Sequence, residues 1–325
     1  MKIKLEEYIE NLSLKVRNPD KLKCTLLSLA SCVKAISSFI TEMPFKNLSS
    51  FKEEKNVQGE TAHWLDVVSN QVFKDEFTTK GFCGVIVSEE EESALISQNL
   101  NGRAEYLLSC DPLDGSSNLG VNIPVGSIFG LWERSDINAP LKAEEILRPG
   151  REIVAGGYAV YGPNTLLVIS LGDGVQEFTL DQNNAQFYLT DSNIKIPFTG
   201  KTYSTNEGNW ETWNDQTKAF IELCKRKDLK LETPYSARYV GSLVADFHRN
   251  LKKGGIYIYA ADSKNPRGKL RMLYECLPMS YIIEQAGGRS IDGTKNILDL
   301  IPTQIHERCP IIIGSKNLVD LFQVQ

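Results

Sequence analysis

A chain of 325 residues, 42% of them hydrophobic and 24% charged, is long enough for a sizeable core and two domains and has the composition of a globular protein. Its net charge of -5 argues against a nucleic-acid partner, whose phosphates call for a basic face. No run of about 18 apolar residues predicts a membrane span, and the opening MKIKLEEYIE carries acids where a signal peptide needs an apolar stretch.

In chain order, Leu22, Leu26, Leu29, Val33, Ile36 and Ile40 recur at the spacing of an amphipathic helix. Polar residues, Pro44 and Gly59 then break the pattern from Thr41 to Thr61, which predicts a mobile loop. A second periodic stretch, Leu65 to Phe77, predicts a helix, and Gly84 to Val87 a short strand leading to the acids Glu89 to Glu92. The strands expected next are Val125–Trp132, Ile153–Tyr161, Leu166–Leu171 and Val175–Leu180, the last two joined as a hairpin through Gly172, Asp173 and Gly174. Ser192 to Thr205 is polar and contains glycine, which predicts a boundary between an α+β domain of residues 1–195 and an α/β domain of residues 196–325. Beyond it, Asp215–Arg226 and Val240–Lys252 read as helices, the second stopped by Gly254. Ile256–Ala260 reads as a strand, Leu270–Ala286 as a helix disturbed at Pro278, and Pro310–Ile313 as a last strand.

Seven cysteines without a CxxC pair fit a reducing compartment, so a cytoplasmic location is expected. His63, His248 and His306 show no spacing for zinc. The chemistry lies in DPLDGSS, Asp111 to Ser117, which follows the apolar run Tyr106–Leu108. Two carboxylates three positions apart, with Pro112 fixing a backbone angle between them, can aim at one point where a hard cation such as Mg²⁺ takes oxygen ligands. Gly115, Ser116 and Ser117 offer N–H groups that become a phosphate cradle where a helix starts behind them. An ordinary strand end with a turn and a capped helix fits the same residues equally well.

Longer motifs go further. With VSEE (Val87–Glu90), DPLDGSSN (Asp111–Asn118), NEG (Asn206–Gly208), ARYVGSLVADFHR (Ala237–Arg249) and GKLRMLYE (Gly268–Glu275), the chain resembles class I fructose-1,6-bisphosphatase from about Leu22 to Phe322. Inositol monophosphatase-like enzymes share DPLDGS, but their late WDxAA-type motif is absent. The resemblance implies a two-domain sugar phosphatase fold with layered α-β-α-β-α architecture and a homotetramer. It implies Mg²⁺-dependent hydrolysis of the 1-phosphate of fructose 1,6-bisphosphate to fructose 6-phosphate and phosphate, as in gluconeogenesis.

Matched by motif, Glu89, Asp111, Asp114, Glu275 and the carbonyl of Leu113 would hold two or three Mg²⁺ ions, with Mn²⁺ as a substitute. Four crowded carboxylates repel one another unless cations neutralise them, so metal dependence follows. Glu60 stands where the family commonly has an aspartate in the metal loop. Asp66 and Glu90 match acids near the attacking water and are joint candidates for general base. The reacting phosphate would meet Asp114, Gly115, Ser116 and Ser117, with Lys269 and Arg271 neutralising developing charge. Asn206, Tyr239, Tyr259 and Lys269 match the pocket for the distal phosphate, and Arg238 matches the arginine that crosses a subunit interface. Asn209 and Leu243 replace the usual tyrosine and methionine near the substrate.

The family's vertebrate-type AMP site uses a TGE-x-T turn with a lysine and an arginine further on. Here the matching positions read Pro19, Asp20, Lys21 and Lys23, then Glu105 and Glu133. Proline removes an N–H and acids oppose a dianion, so AMP insensitivity is expected. The cysteine-bearing insertion of the light-regulated plastid enzymes is also missing after Trp132. Sedoheptulose-1,7-bisphosphate hydrolysis, alone or as a second activity, is the nearest enzymatic alternative, and a catalytically silent metabolite-binding protein on the same fold is the alternative from another class.

Overall fold

A computed structural model describes residues 2–13, 15–43, 54–55, 61–62, 64–97, 104–228 and 234–325. A short helix α1 (Leu5–Glu10) precedes the long helix α2 (Pro19–Glu42). Asn18 caps α2 by accepting the Lys21 N–H at 3.2 Å, and Pro19 occupies the first turn, where its missing N–H is harmless. The expectation of no membrane-length apolar run needs correction, because α2 is long and apolar enough to cross a bilayer. Half of its most apolar stretch is buried inside the protein, and α2 packs on α3 (Trp64–Lys80) and on a large sheet. It is a core helix. Most of the expected loop Thr41–Thr61 lies outside the described residues, although Glu54–Lys55 and Thr61–Ala62 pair antiparallel.

The large sheet has eight strands: β1 (Cys83–Ser88), β2 (Leu95–Ile96), β3 (Tyr106–Asp114), β4 (Val125–Glu133), β5 (Ile153–Tyr161), β6 (Thr165–Ser170), β7 (Gln176–Asp181) and β8 (Gln186–Asp191). They lie in the order β8-β7-β6-β5-β4-β3-β1-β2 and pair antiparallel except for β1 with β3. A second, five-stranded sheet combines β9 (Thr202–Ser204), β10 (Ser236–Ala237), β11 (Ile256–Tyr259), β12 (Arg289–Ile291) and β13 (Ile311–Gly314) in the order β10-β9-β11-β13-β12.

Alternation along the strands explains the layering. In β3, Tyr106 and Leu108 join α2 and α3 residues such as Val33 and Phe73 in one core, while Leu107 between them faces a second core. That second core holds α5 (Leu243–Lys253) and α6 (Leu277–Gln285) through Phe247, Leu251, Leu277 and Ile282, and Tyr257 of β11 closes it from the small sheet. The neighbours of Tyr257, Ile256 and Ile258, point the other way, against α4 (Asp215–Lys225) and α7 (Lys316–Gln323). Helices and sheets therefore alternate as α-β-α-β-α, as expected.

Three local differences matter for function. The helix expected from Val240 begins at Leu243, because Val240 and Gly241 turn their N–H groups onto the Asp246 carboxylate. The helix expected from Leu270 has its disturbance at Met272–Cys276, a wide π turn, and Pro278 sits harmlessly in the first turn of α6. Behind Gly115 there is a six-residue 3₁₀ segment, Ser116–Val121.

Candidate metal and phosphate site

The DPLD stretch is part of strand β3, and a bulge explains why both aspartates work together. Two residues three apart on a regular strand face opposite sides of the sheet. Here Asp111 pairs with Ile128 and Asp114 with Gly126, so the segment has one residue more than its partner on β4. The extra residue returns Asp114 to the face of Asp111. Pro112 occupies the bulge, where its lack of a ladder N–H is tolerated, and its carbonyl accepts from Ser127 Oγ at 2.7 Å. The π turn brings Glu275 to the same place, and one carboxylate oxygen from each of Asp111, Asp114 and Glu275 can be chosen so that all lie within 4.8 Å of one another.

Each acid is fixed by backbone donors. Asp111 Oδ1 accepts the Leu113 N–H at 3.0 Å, and Glu275 Oε2 accepts the Arg271 N–H at 2.6 Å. Asp114 Oδ2 accepts the Val244 N–H at 3.1 Å and the Ser242 hydroxyl at 3.3 Å, which ties the bulge to the start of α5. All three are buried. Burial raises the Asp111 carboxyl well above its ordinary range, with Glu89, Asp114 and Glu275 adding repulsion. Glu275 is raised in the same way, by burial and then Glu89. Asp114 rises to about 6, its burial outweighing the N–H and hydroxyl donors that pull it down. Glu89 lies beside them, 3.7 Å from the Arg271 guanidinium.

The triad opens into a cleft of about 700 Å³ between the two sheets. Of the expected site residues, Asp66, Glu89, Glu90, Asp111, Leu113, Asp114, Gly115, Ser116, Ser117, Asn206, Tyr239, Tyr259, Lys269, Arg271 and Glu275 all line it. Arg238 does not; it is exposed, with Nη1 on the carbonyl of Ala237 at 2.9 Å. Glu60 lies outside the described residues. The cleft also includes Tyr257, expected only as part of a strand, and Gly241 and Leu270, which lie inside the ARYVGSLVADFHR and GKLRMLYE motifs but were expected only as helix residues. Gly115 takes a left-handed φ of 79° just before the 3₁₀ segment, a conformation that glycine adopts without strain.

Residues 3–192 match the family model for the fructose-1,6-bisphosphatase N-terminal domain, and residues 196–324 match the one for the C-terminal domain. The chain belongs to the fructose-1,6-bisphosphatase family. Among its relatives, a class 1 fructose-1,6-bisphosphatase from Cytophaga hutchinsonii is 43% identical over 296 residues, spanning 91% of this chain and 86% of that one. The crystal structure of Leishmania major fructose-1,6-bisphosphatase in holo form superposes with a TM-score of 0.93 at 37% identity, covering all of this chain and 98% of that one. Its apo form superposes with a TM-score of 0.88 at 36% identity over the whole of both chains. Within this fructose-1,6-bisphosphatase fold, the acids fit a metal by their donor chemistry. They offer hard oxygen donors, and their raised carboxyls mark a place where negative charge is unfavourable until a cation shares it.

Proposed function

We propose that this chain hydrolyses the 1-phosphate of fructose 1,6-bisphosphate, releasing fructose 6-phosphate and phosphate. The observation that carries the reading is one cleft lined by both the buried triad Asp111, Asp114 and Glu275 and the side chains of Asn206, Tyr239, Tyr259 and Lys269, which have donors suited to a phosphate. Asp111, Asp114 and Glu275, with Glu89 and the Leu113 carbonyl beside them, would hold Mg²⁺ ions, with Mn²⁺ able to replace them. When bound, such cations supply Lewis-acid stabilisation of phosphoryl charge and lower the pKa of water.

The remaining work falls to the chain. Amides of Gly115 and Ser116 would orient the reacting phosphate, since the first N–H groups of a helical segment have no partner within it. Lys269 and Arg271 offset charge building on that phosphate. Asp66, nearly fully buried, and Glu90 are the carboxylates to take the proton from the attacking water. Asn206, Tyr239 and Tyr259 bind the second phosphate by donating hydrogen bonds without adding charge. Arg238, exposed on this chain, is assigned to the neighbouring subunit of a homotetramer.

AMP insensitivity belongs to the same proposal. Lys21 Nζ lies 2.8 Å from Glu105, Asn18 Nδ2 donates to Glu105 at 3.1 Å, and the Arg17 N–H donates to Glu133 at 2.7 Å. The chain's own acids therefore occupy donors at the start of α2 that a nucleotide phosphate would need.

Phosphate release from fructose 1,6-bisphosphate by the purified protein, with Mg²⁺ and then with excess chelator, tests the reading. Metal-dependent release is expected; tight binding without turnover would point to a silent binder, and faster release from sedoheptulose 1,7-bisphosphate would change the assigned sugar.

A further inference from the structure

The cleft wall at Tyr239 belongs to an irregular segment between β10 and α5, and it has a support of its own. Asp246, one turn into α5 and wholly buried, accepts the Val240 N–H on both carboxylate oxygens, at 2.9 and 3.1 Å, and the Gly241 N–H at 3.1 Å. Arg249, three residues further on, lies 2.9 Å from Asp246. Its Nη2 also donates to the Arg238 carbonyl at 2.9 Å and to Ser204 Oγ of β9 at 2.6 Å.

These contacts fall on both sides of one residue. The carbonyl just before Tyr239 is held by Arg249, and the N–H just after it is held by Asp246. Gly241, with φ at +84°, turns the chain, and Ser242 then reaches back to Asp114. A buried carboxylate is costly unless it is paired and hydrogen-bonded, and here every bond it makes serves the segment that presents Tyr239. Neither Asp246 nor Arg249 lines the cleft.

We propose that the Asp246–Arg249 ion pair is a positioning clamp that fixes Tyr239 for the phosphate remote from the reaction, and so sets affinity for the bisphosphate. The proposal rests on the hydrolytic reading above. Both residues act through Tyr239, and their loss is expected to appear in recognition of the second phosphate more than in the chemical step.

Steady-state kinetics with fructose 1,6-bisphosphate and with fructose 1-phosphate, which lacks the remote phosphate, test it. Asp246→Asn and Arg249→Met are each expected to raise KM for the bisphosphate about tenfold, the loss of one hydrogen bond to a charged group. For the monophosphate, kcat/KM is expected to stay within about threefold. Tyr239→Phe, costly in the wild type, is expected to cost little more once Asp246→Asn is present, and Arg249→Lys to restore part of what Arg249→Met loses. Equal losses on both sugars, or a Tyr239→Phe effect that simply adds to Asp246→Asn, would overturn the clamp. Should Asp246→Asn fail to fold, the Arg249→Met and Arg249→Lys pair makes the same comparison.

Amide hydrogen exchange reads the clamp whatever the enzyme turns over. Protection at Val240 and Gly241 is expected in the wild type and is expected to be lost in Asp246→Ala, which removes both acceptor oxygens; unchanged protection in that variant would overturn the clamp. A wild type that hydrolyses neither sugar but shows the expected exchange pattern would overturn the hydrolytic reading and leave the clamp supported.

Discussion

Asp114→Asn is expected to abolish catalysis while stabilising the metal-free fold, and the size of the second effect follows from the site. Burial pushes the Asp114 carboxyl up from 3.8 to about 6. Between those values the folded chain keeps a proton that the unfolded chain has released, so metal-free stability falls as pH rises through that window and stays low above it. At about 1.4 kcal/mol for each pH unit, ionising this group costs the metal-free fold on the order of 3 kcal/mol at neutral pH. Asparagine is nearly the same size, and its amide oxygen can still accept from the Val244 N–H and Ser242 hydroxyl that hold Asp114. It brings no charge beside Asp111 and Glu275. Thermal unfolding in excess chelator at neutral pH is therefore expected to shift upward by roughly 5 °C or more in the variant. With Mg²⁺ the order is expected to reverse, since the wild type would gain from cation binding and the variant far less. A chelated variant that melts at or below the wild type, or a chelated wild type whose midpoint is flat between pH 3.8 and about 6, would refute the reasoning.

Asp66→Asn and Glu90→Gln are expected to lower kcat by about 10²-fold to 10⁴-fold if their side chains share the general-base role, with KM little changed in steady-state assays. Gly126→Ala is expected to destabilise the fold by about 1–3 kcal/mol in denaturant titration, because its new Cβ would lie 2.2 Å from the Ala159 carbonyl and 2.5 Å from Val244. Glu105→Gln breaks the pair with Lys21, whose side chain is 34% exposed, so a loss of about 1 kcal/mol or less is expected at neutral pH. Burial works to raise the Glu105 carboxyl, but Lys21 and Asn18 hold it below its ordinary value. Its contribution is therefore present at neutral pH and disappears as pH falls through that lowered value, and parallel unfolding curves of the two proteins across acid pH check this sign.

Local patterns in the sequence foretold elements whose signal repeats many times. The face of α2 and the strands β4 and β5 were legible because apolar residues recur along them. Strands β9 and β10 were not, since three and two residues carry no period, and β8 was hidden because its apolar residues Phe187, Tyr188 and Leu189 are adjacent and do not alternate with polar ones. Within the site, Asp111 and Asp114 were readable from one motif, whereas the meeting of Glu275 with them across the fold could be expected only from family resemblance. The bulge that aligns the two aspartates has no local signature beyond Pro112. Asp246 escaped notice because an acid in the first turn of an amphipathic helix ordinarily serves the helix terminus at the surface, and only the fold reveals that this one is buried.

The π turn at Met272–Cys276 has a consequence for how this enzyme family can vary. Each residue advances an α-helix by about 100°, so adding or removing one in a continuous helix would rotate everything after it out of phase with its neighbours. A widened turn absorbs that phase difference between Glu275, which must face the cleft, and α6, whose apolar side must face two sheets at once. Core substitutions in α6 can then accumulate without steering the carboxylate, whereas deletion of a single residue upstream of Leu277 would force the chain to choose between packing and catalysis.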